Sequence, residues 1–494
     1  MSFNKWYIGT LLFVVLCGNT MSSSAQSNQA LNAFIKKNGL AYASVGVRVV
    51  EIESGKTIGS HNENMALCPA SALKALTTAT ALELFGPDYQ YTTTILYEGT
   101  INAQGNLTGN LIIKGTGDPS LGSSYLQTDP HPFLHKHPEA FLSDWLAAIQ
   151  KAGIKSISGN ILVIDNLFGY EGVSKRWVWE DLGNYYASGT YGVSIFDNSY
   201  RLYFKSGAVG TTPTVLRTEP EIPGLTFENH LKAANNSADS AYIYGVPFSF
   251  DRKIYGTIPA LRSSFSIKGD VPDPGLLLAQ TLYNHLQNNG IQISGGAYTS
   301  RTQPQPKTTE KQHEIYAHKG SRLKEIIKVT NFRSNNHYAE HLFYKTGWDK
   351  SQACTSEYIP SLAAQKIARY WAQKGINTKG LFQYDGSGLA NANAISAKTL
   401  TDVLIYMQKN SKHANDFYLS LPLAGKEGTV RSFLKGSALD GKARIKSGSI
   451  AKVQAYAGYY EKGGKRYAFS VFVNNFTGSR AVLRTQIEQL LLGL

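Results

Sequence analysis

The amino-acid sequence predicts a mixed α/β (α+β) fold in which an antiparallel sheet flanked by helices is interrupted by a long β-rich insertion. Three observations lead there. Strand-and-helix patterns open and close the chain, and they read as parts of one sheet completed by both ends. The middle changes to short β-rich pieces with frequent turns. The length, 494 residues, exceeds one ordinary core, since single domains typically run to about 100–200 residues.

The first 25 residues read as a signal peptide. Lys5 precedes a mostly apolar stretch from Trp6 to Cys17, too short for the roughly 20 residues that span a bilayer. Ser23-Ser24-Ala25 before Gln26 fits the small-x-small rule for cleavage. The mature chain is therefore expected to be exported to the periplasm or cell envelope. No later stretch is apolar enough to act as a transmembrane anchor. Lipidation at Cys17 is the alternative, disfavoured by Leu16 where lipoprotein signals carry a small residue.

Residues 26–96 and 271–494 are expected to form the main domain around an insertion at 97–270, which has room for two subdomains. A short helix over residues 30–37 leads into a strand over 44–52, where Val45, Val47 and Val49 alternate on one side. Pro69 and Ser71 start a helix with Leu73, Leu76, Ala79, Leu82 and Phe85 at helical spacing, stopped by Gly86-Pro87. The insertion follows with strands near 109–117, 159–165 and 192–205. Helical periodicity returns at 275–289, 324–347, 361–374 and 397–409. Strands over 443–449, 453–461 and 466–474 come next, the last two joined by the hairpin turn Lys462-Gly463-Gly464-Lys465. A helix from Ser479 with Leu483, Ile487, Leu490 and Leu491 on one face closes the fold, so the termini are expected to lie close together.

Lysine and arginine total 49 against 35 acids, a net +14 that becomes +13 once Lys5 is cleaved away. Such a charge favours an anionic partner, or is simply a solvated basic surface. No recognition motif points to nucleic acid, so an acidic envelope polymer is the favoured reading. Only Cys68 and Cys354 survive cleavage, too few for a disulfide scaffold or a structural zinc site, and whether they pair is open.

Acyl transfer through a serine needs a hydroxyl at a helix start, a base in reach, oxyanion donors and a cation for a substrate carboxylate. Ser71-Ala72-Leu73-Lys74 provides the first two, because residues three apart share a helix face. Burial and a second cation nearby would lower the lysine pKa enough for Lys74 to act as base. Ser-x-x-Lys also occurs at Ser321, Ser432 and Ser449, but only Ser71 heads a long apolar helix. Ser334-Asn335-Asn336 starts a predicted helix: Ser334 can relay a proton, and the Asn336 amide can hold the substrate backbone. An ordinary helix N-cap is the bland reading of the same residues. Lys446-Ser447-Gly448-Ser449 lies on a predicted strand. Lys446 supplies the cation, Ser447 and Ser449 the hydroxyls for a carboxylate, and Gly448 an open strand edge. Lys205-Ser206-Gly207 and Lys345-Thr346-Gly347 are decoys, one in the insertion and one only 11 residues past Ser334 (345 − 334).

The three motifs in this order resemble those of serine penicillin-binding proteins and β-lactamases, whose set is S-x-x-K, S-D-N and K-T-G. Ser-Asn-Asn and Lys-Ser-Gly depart from it but keep the chemically necessary atoms. The 263 residues from Ser71 to Ser334 (334 − 71) resemble the class C low-molecular-mass group, the D-alanyl-D-alanine carboxypeptidase/endopeptidase family. Gly115-Thr116-Gly117-Asp118-Pro119-Ser120-Leu121, Tyr338-Ala339-Glu340-His341, Asp385-Gly386-Ser387-Gly388-Leu389 and Leu421-Pro422-Leu423-Ala424-Gly425 resemble its other segments. The resemblance implies a penicillin-binding/β-lactamase-like transpeptidase domain. It implies a hydrolase, a serine protease in the broad sense, acting on peptidoglycan stem peptides without a cofactor. β-Lactams would be covalent inhibitors. Ser71 would be the acylated nucleophile, Lys74 its base, and the backbone N–H groups of Ser71 and Ser449 the oxyanion donors. Residues 177–182 resemble a family stretch whose acid meets a free amine of the stem peptide, which would make Asp181 a specificity contact.

Three alternatives stay open at this point. His337-Tyr338-Ala339-Glu340-His341 matches the zinc-peptidase pattern H-x-x-E-H, with His337 and His341 as ligands. A catalytically inactive peptidoglycan-binding module would keep the fold without the chemistry. A β-lactamase would differ in fast deacylation.

Overall fold

The computed structural model describes residues 23–126, 139–303, 311–348 and 359–494. The expected signal core, Cys17 and Cys354 lie outside them. Among the described residues no helix is long and apolar enough to cross a membrane.

Both ends of the chain build one five-stranded antiparallel sheet, ordered Thr57–His61, Ser44–Glu51, Lys465–Asn474, Val453–Lys462, Ala443–Ile450. On one face Val45, Val47, Val49 and Val471 pack with Leu31 and Phe34 of helix Ser23–Ile35 and with Leu483 and Ile487 of helix Arg480–Gly493. On the other, Ala455, Ala457, Ala468 and Phe472 pack against Leu76 and against Leu400 and Val403 of helix Ala397–Lys409. Each buried valine, leucine, isoleucine or phenylalanine side chain among them contributes roughly 1.5–3 kcal/mol. In the strand from Ser44 the alternating Val45, Val47 and Val49 supply the face that meets the terminal helices. The turn after Lys462 carries φ of 58° at Gly463 and 73° at Gly464, the left-handed pair a tight two-residue hairpin requires.

The nucleophile segment is a 3-10 turn, Ala70–Leu73, continuing into helix Lys74–Phe85, which is buried from Lys74 through Leu82. Two of its threonines bond within the helix, Thr78 Oγ1 donating to Lys74 O at 2.7 Å and Thr80 Oγ1 to Leu76 O at 2.8 Å, while Thr77 Oγ1 donates to Gly386 O at 2.7 Å.

The structure corrects the expected helix over 324–347. It is two helices, Leu323–Arg333 and Asn336–Gly347, broken at Ser334, whose backbone is left-handed (φ 55°, ψ 39°). Asn335 then caps the second helix, accepting from Tyr338 N at 3.0 Å.

The insertion has its own core, running from Ile95 to Ile293 and including Trp145 and Leu282. Helix Pro274–Asn288, expected on the other side of the boundary at residue 270, packs inside it. A second five-stranded sheet, ordered Ala297–Thr299, Ile161–Ile164, Leu111–Gly115, Gln90–Tyr97, His313–Arg322, carries the chain out and back. Beyond it lie a three-stranded sheet on Ser199–Lys205 and a four-stranded one on Asp251–Pro259.

Candidate active site

Ser71 stands half-buried in the 3-10 turn, and the edge strand Ala443–Ile450 presses against it from one side. Gly448 makes the approach possible. A Cβ there would stand 2.5 Å from Pro69 O, 2.6 Å from Ala72 N and 2.9 Å from Ser71 N. The glycine is therefore demanded by the helix start, a different reason from the open substrate edge expected from sequence.

Lys74 is wholly buried, and its Nζ has three partners: Asn336 Oδ1 at 2.6 Å, Ser387 O at 2.7 Å and Ser71 Oγ at 3.0 Å. Burial pulls this amine down to about 7, against the charges of Asp385 and Glu340, which act to raise it. A neutral amine has two N–H donors and one lone pair. Asn336 Oδ1 and Ser387 O can only accept, so they take the two donors. The lone pair is left for the Ser71 hydroxyl, which is the geometry of a base poised on its nucleophile.

Lys446, also wholly buried, meets Ser334 Oγ at 3.0 Å and donates to Ser447 O at 2.7 Å. Burial, and then the charge of Lys74, hold its amine well below the usual lysine range. Ser447 Oγ and Thr429 Oγ1 are 2.8 Å apart. Ser71, Ser334, Thr429, Ser447 and Ser449 line a cleft of about 470 Å³ together with Arg480 and Arg484. A cleft lined by several hydroxyls and two arginines suits a small peptide ending in a carboxylate.

The structure thus brings Ser71, Lys74, Ser334, Asn336, Lys446, Ser447, Gly448 and Ser449 into one place. One detail differs from the reading of sequence. The Asn336 amide is engaged by the protein at both ends, accepting from Lys74 and donating from Nδ2 to Tyr186 O at 2.8 Å. It positions the base and ties it to the insertion. Asp181, on the 3-10 turn Trp179–Asp181, stands apart from the cleft. It is half-buried, and burial pushes its carboxyl up to about 6, opposed by a hydrogen bond from Tyr186.

Glu340 and Asp385, which lie in family-like stretches of the sequence but carry no assigned role there, form a support layer. Glu340 Oε1 accepts from Ser387 N at 2.7 Å, which aims the Ser387 carbonyl at Lys74. Asp385 accepts from Gly388 N at 2.7 Å, Ala390 N at 2.6 Å, Asn393 Nδ2 at 2.8 Å and Trp177 Nε1 at 2.9 Å. Burial pushes Asp385 above the usual carboxylate range despite those donors; burial and then the Asp385 charge push Glu340 up to about 8. The paired glycines around Ser387 were the available signal. Gly388 has φ of 78°, and a Cβ on it would lie 2.0 Å from Ala70 O.

The packing opposes the zinc alternative. His341 Nδ1 lies 2.9 Å from Gly117 O and Nε2 3.1 Å from Ser194 Oγ, so both ring nitrogens have protein partners. Glu340 is committed to the backbone of residues 386–387. Burial holds the His341 ring down at about 4 and His337 well below its usual range, as expected of packed neutral imidazoles.

A family model described as the D-Ala-D-Ala carboxypeptidase 3 (S13) family matches residues 27–492. A D-alanyl-D-alanine carboxypeptidase of Actinomadura sp. (strain R39) is 24% identical, with 91% of this chain and 81% of that protein covered. The crystal structure of penicillin binding protein 4 from Haemophilus influenzae superposes with a TM-score of 0.76 at 23% identity, covering 95% of this chain and 98% of that one. Its complex with a β-lactam gives 0.71 at 22%, covering 96% and 98%.

Proposed function

The chain belongs to the D-Ala-D-Ala carboxypeptidase 3 (S13) family, and from that premise we propose how its residues divide the work on a peptidoglycan stem peptide. Neutral Lys74 takes the Ser71 proton as Oγ attacks the carbonyl carbon of the penultimate D-alanine. The oxyanion falls to the backbone N–H groups of Ser71 and Ser449. The C–N bond breaks, Ser334 passes a proton to the leaving amine, and the acyl group stays on Ser71. Water then attacks the ester, restoring Ser71 and releasing the shortened peptide. Lys446, Ser447 and Thr429 receive the carboxylate of the departing residue, and Asp181 meets a free amine further along the stem. A β-lactam enters the same cleft and stops at the acyl stage. The basic chain works outside the cytoplasm, after removal of residues 1–25, on an acidic envelope polymer.

The three contacts of Lys74 carry this reading, since they fix a donor-depleted amine against Ser71. Complete polar machinery sets it apart from an inactive binding module. The test is labelling with a fluorescent penicillin, followed by mass analysis of stem-peptide products. One covalent adduct, lost in Ser71→Ala, is expected together with release of D-alanine. A folded protein that forms no adduct is the inactive module, and rapid turnover of the adduct with no peptide cleavage is a β-lactamase. Cleavage of cross-linked dimers reads the endopeptidase activity directly.

A further inference from the structure

The insertion carries an aromatic surface that acyl transfer does not use. Strand Ser240–Tyr244 pairs antiparallel with Asp251–Pro259, setting Tyr242 opposite Tyr255 and Tyr244 opposite Lys253. Alternation sends Ile243 and Ile254 into the inserted core and turns the tyrosines to the outer face. Tyr242 is 45% exposed, Tyr255 43% and the adjoining Trp179 61%. The rings form a connected row, with centroids 6.3 Å apart for Trp179 and Tyr244, 6.5 Å for Tyr242 and Tyr244, and 5.8 Å for Tyr244 and Tyr255. Polar groups border it: Glu228 lies 3.0 Å from Lys253 Nζ and 2.7 Å from His230 Nε2.

Contiguous exposed aromatics rimmed by hydrogen-bonding groups mark a ligand surface rather than ordinary exposed side chains. The same mixture fits a sugar ring, whose C–H face lies on an aromatic ring while its hydroxyl edge meets polar side chains. The row is tied to the active site through the chain segment 179–186. Trp179 opens the turn that ends at Asp181, Gly245 N donates to Leu182 O at 3.3 Å just past Tyr244, and Tyr186 gives its carbonyl to Asn336.

We propose that this sheet face binds the glycan strand of peptidoglycan, a polymer of N-acylated amino sugars, while the attached stem peptide reaches Ser71. The proposal rests on the acyl-transfer reading, because it takes the polymer that carries the stem peptide as the occupant. Peptide-free β-linked N-acetylglucosamine oligomers are the probe, titrated against full-length protein by tryptophan fluorescence. Binding is expected for wild type, weakened by about tenfold or more in the Tyr242→Ala/Tyr255→Ala double variant. Digestion of intact peptidoglycan by that variant is expected to fall through KM. Its penicillin labelling and its cleavage of a soluble stem peptide are expected to stay at wild-type rates. Absent glycan binding in wild type, or undiminished binding in the variant, overturns the proposal. The two readings fail separately: a protein that labels but ignores glycan rejects this surface, and one that binds glycan but never labels rejects the enzyme.

Discussion

At the scale of single residues, catalysis turns on whether one buried amine carries a proton. Lys74 sits near 7 because burial outweighs the two carboxylates that favour its charge. The sign follows: below about pH 7 the amine is protonated and has no lone pair for Ser71, and above it the base is free. Penicillin acylation is therefore expected to lose about tenfold per pH unit on the acid side of that midpoint. A pH-independent rate from 5 to 8, read by stopped flow, would remove Lys74 from the role of base. Lys74→Arg should cost about 10²–10⁴ in acylation rate, since a guanidinium stays charged throughout this range. The residues that must do this chemistry are legible in the sequence because a helical spacing of three brings Ser71 and Lys74 onto one face. The engagement of Asn336 is not, because an amide at a helix start can face substrate, base or backbone, and only the partner at Tyr186, 150 positions away, decides.

At the scale of elements, the site is made by a strand lying closer to a helix start than side chains normally permit. All three nearest neighbours of a Cβ at residue 448 are backbone atoms of Pro69, Ser71 and Ala72, which have no rotamer to yield. Gly448→Ala must push strand and turn apart, an overpacking cost of about 1–3 kcal/mol. A lowered Tm and slowed penicillin labelling are expected together, because the atoms displaced include the nucleophile's own N–H. Wild-type values of both would mean the strand does not hold the turn in place. The break at Ser334 has the same origin in backbone conformation. Apolar spacing continues through residues 323–347, so periodicity reads one helix; the left-handed φ that turns Ser334 toward Lys446 leaves no trace in that pattern. The strands and the final hairpin are legible for the opposite reason, since alternation and the Gly463-Gly464 pair report backbone conformation directly.

At the scale of the whole molecule, the insertion takes part in the site through hydrogen bonds. Its boundaries were hard to read because strand Gln90–Tyr97 belongs to both parts of the sequence pattern, and helix Pro274–Asn288 has the same periodicity as the helices that follow. Two links to the chemistry among the described residues come from irregular turns with no period at all. One is Tyr186 to Asn336; the other is Trp177 Nε1, which donates to Asp385 across 208 positions at 2.9 Å. Trp177→Phe keeps the apolar packing against Leu389 and Ala390 and deletes only that donor. A buried carboxylate that loses a donor titrates higher, so Asp385 carries less negative charge at any given pH in its titration. Its charge is the larger of the two that raise Lys74. With that charge diminished, the Lys74 amine falls below about 7, and the acid side of the acylation profile moves to lower pH. Shifts of this sign in the variant, with labelling at high pH unchanged, mean that a turn of the insertion sets the basicity of Lys74. A profile that stays put, or moves to higher pH, means that Trp177 only packs.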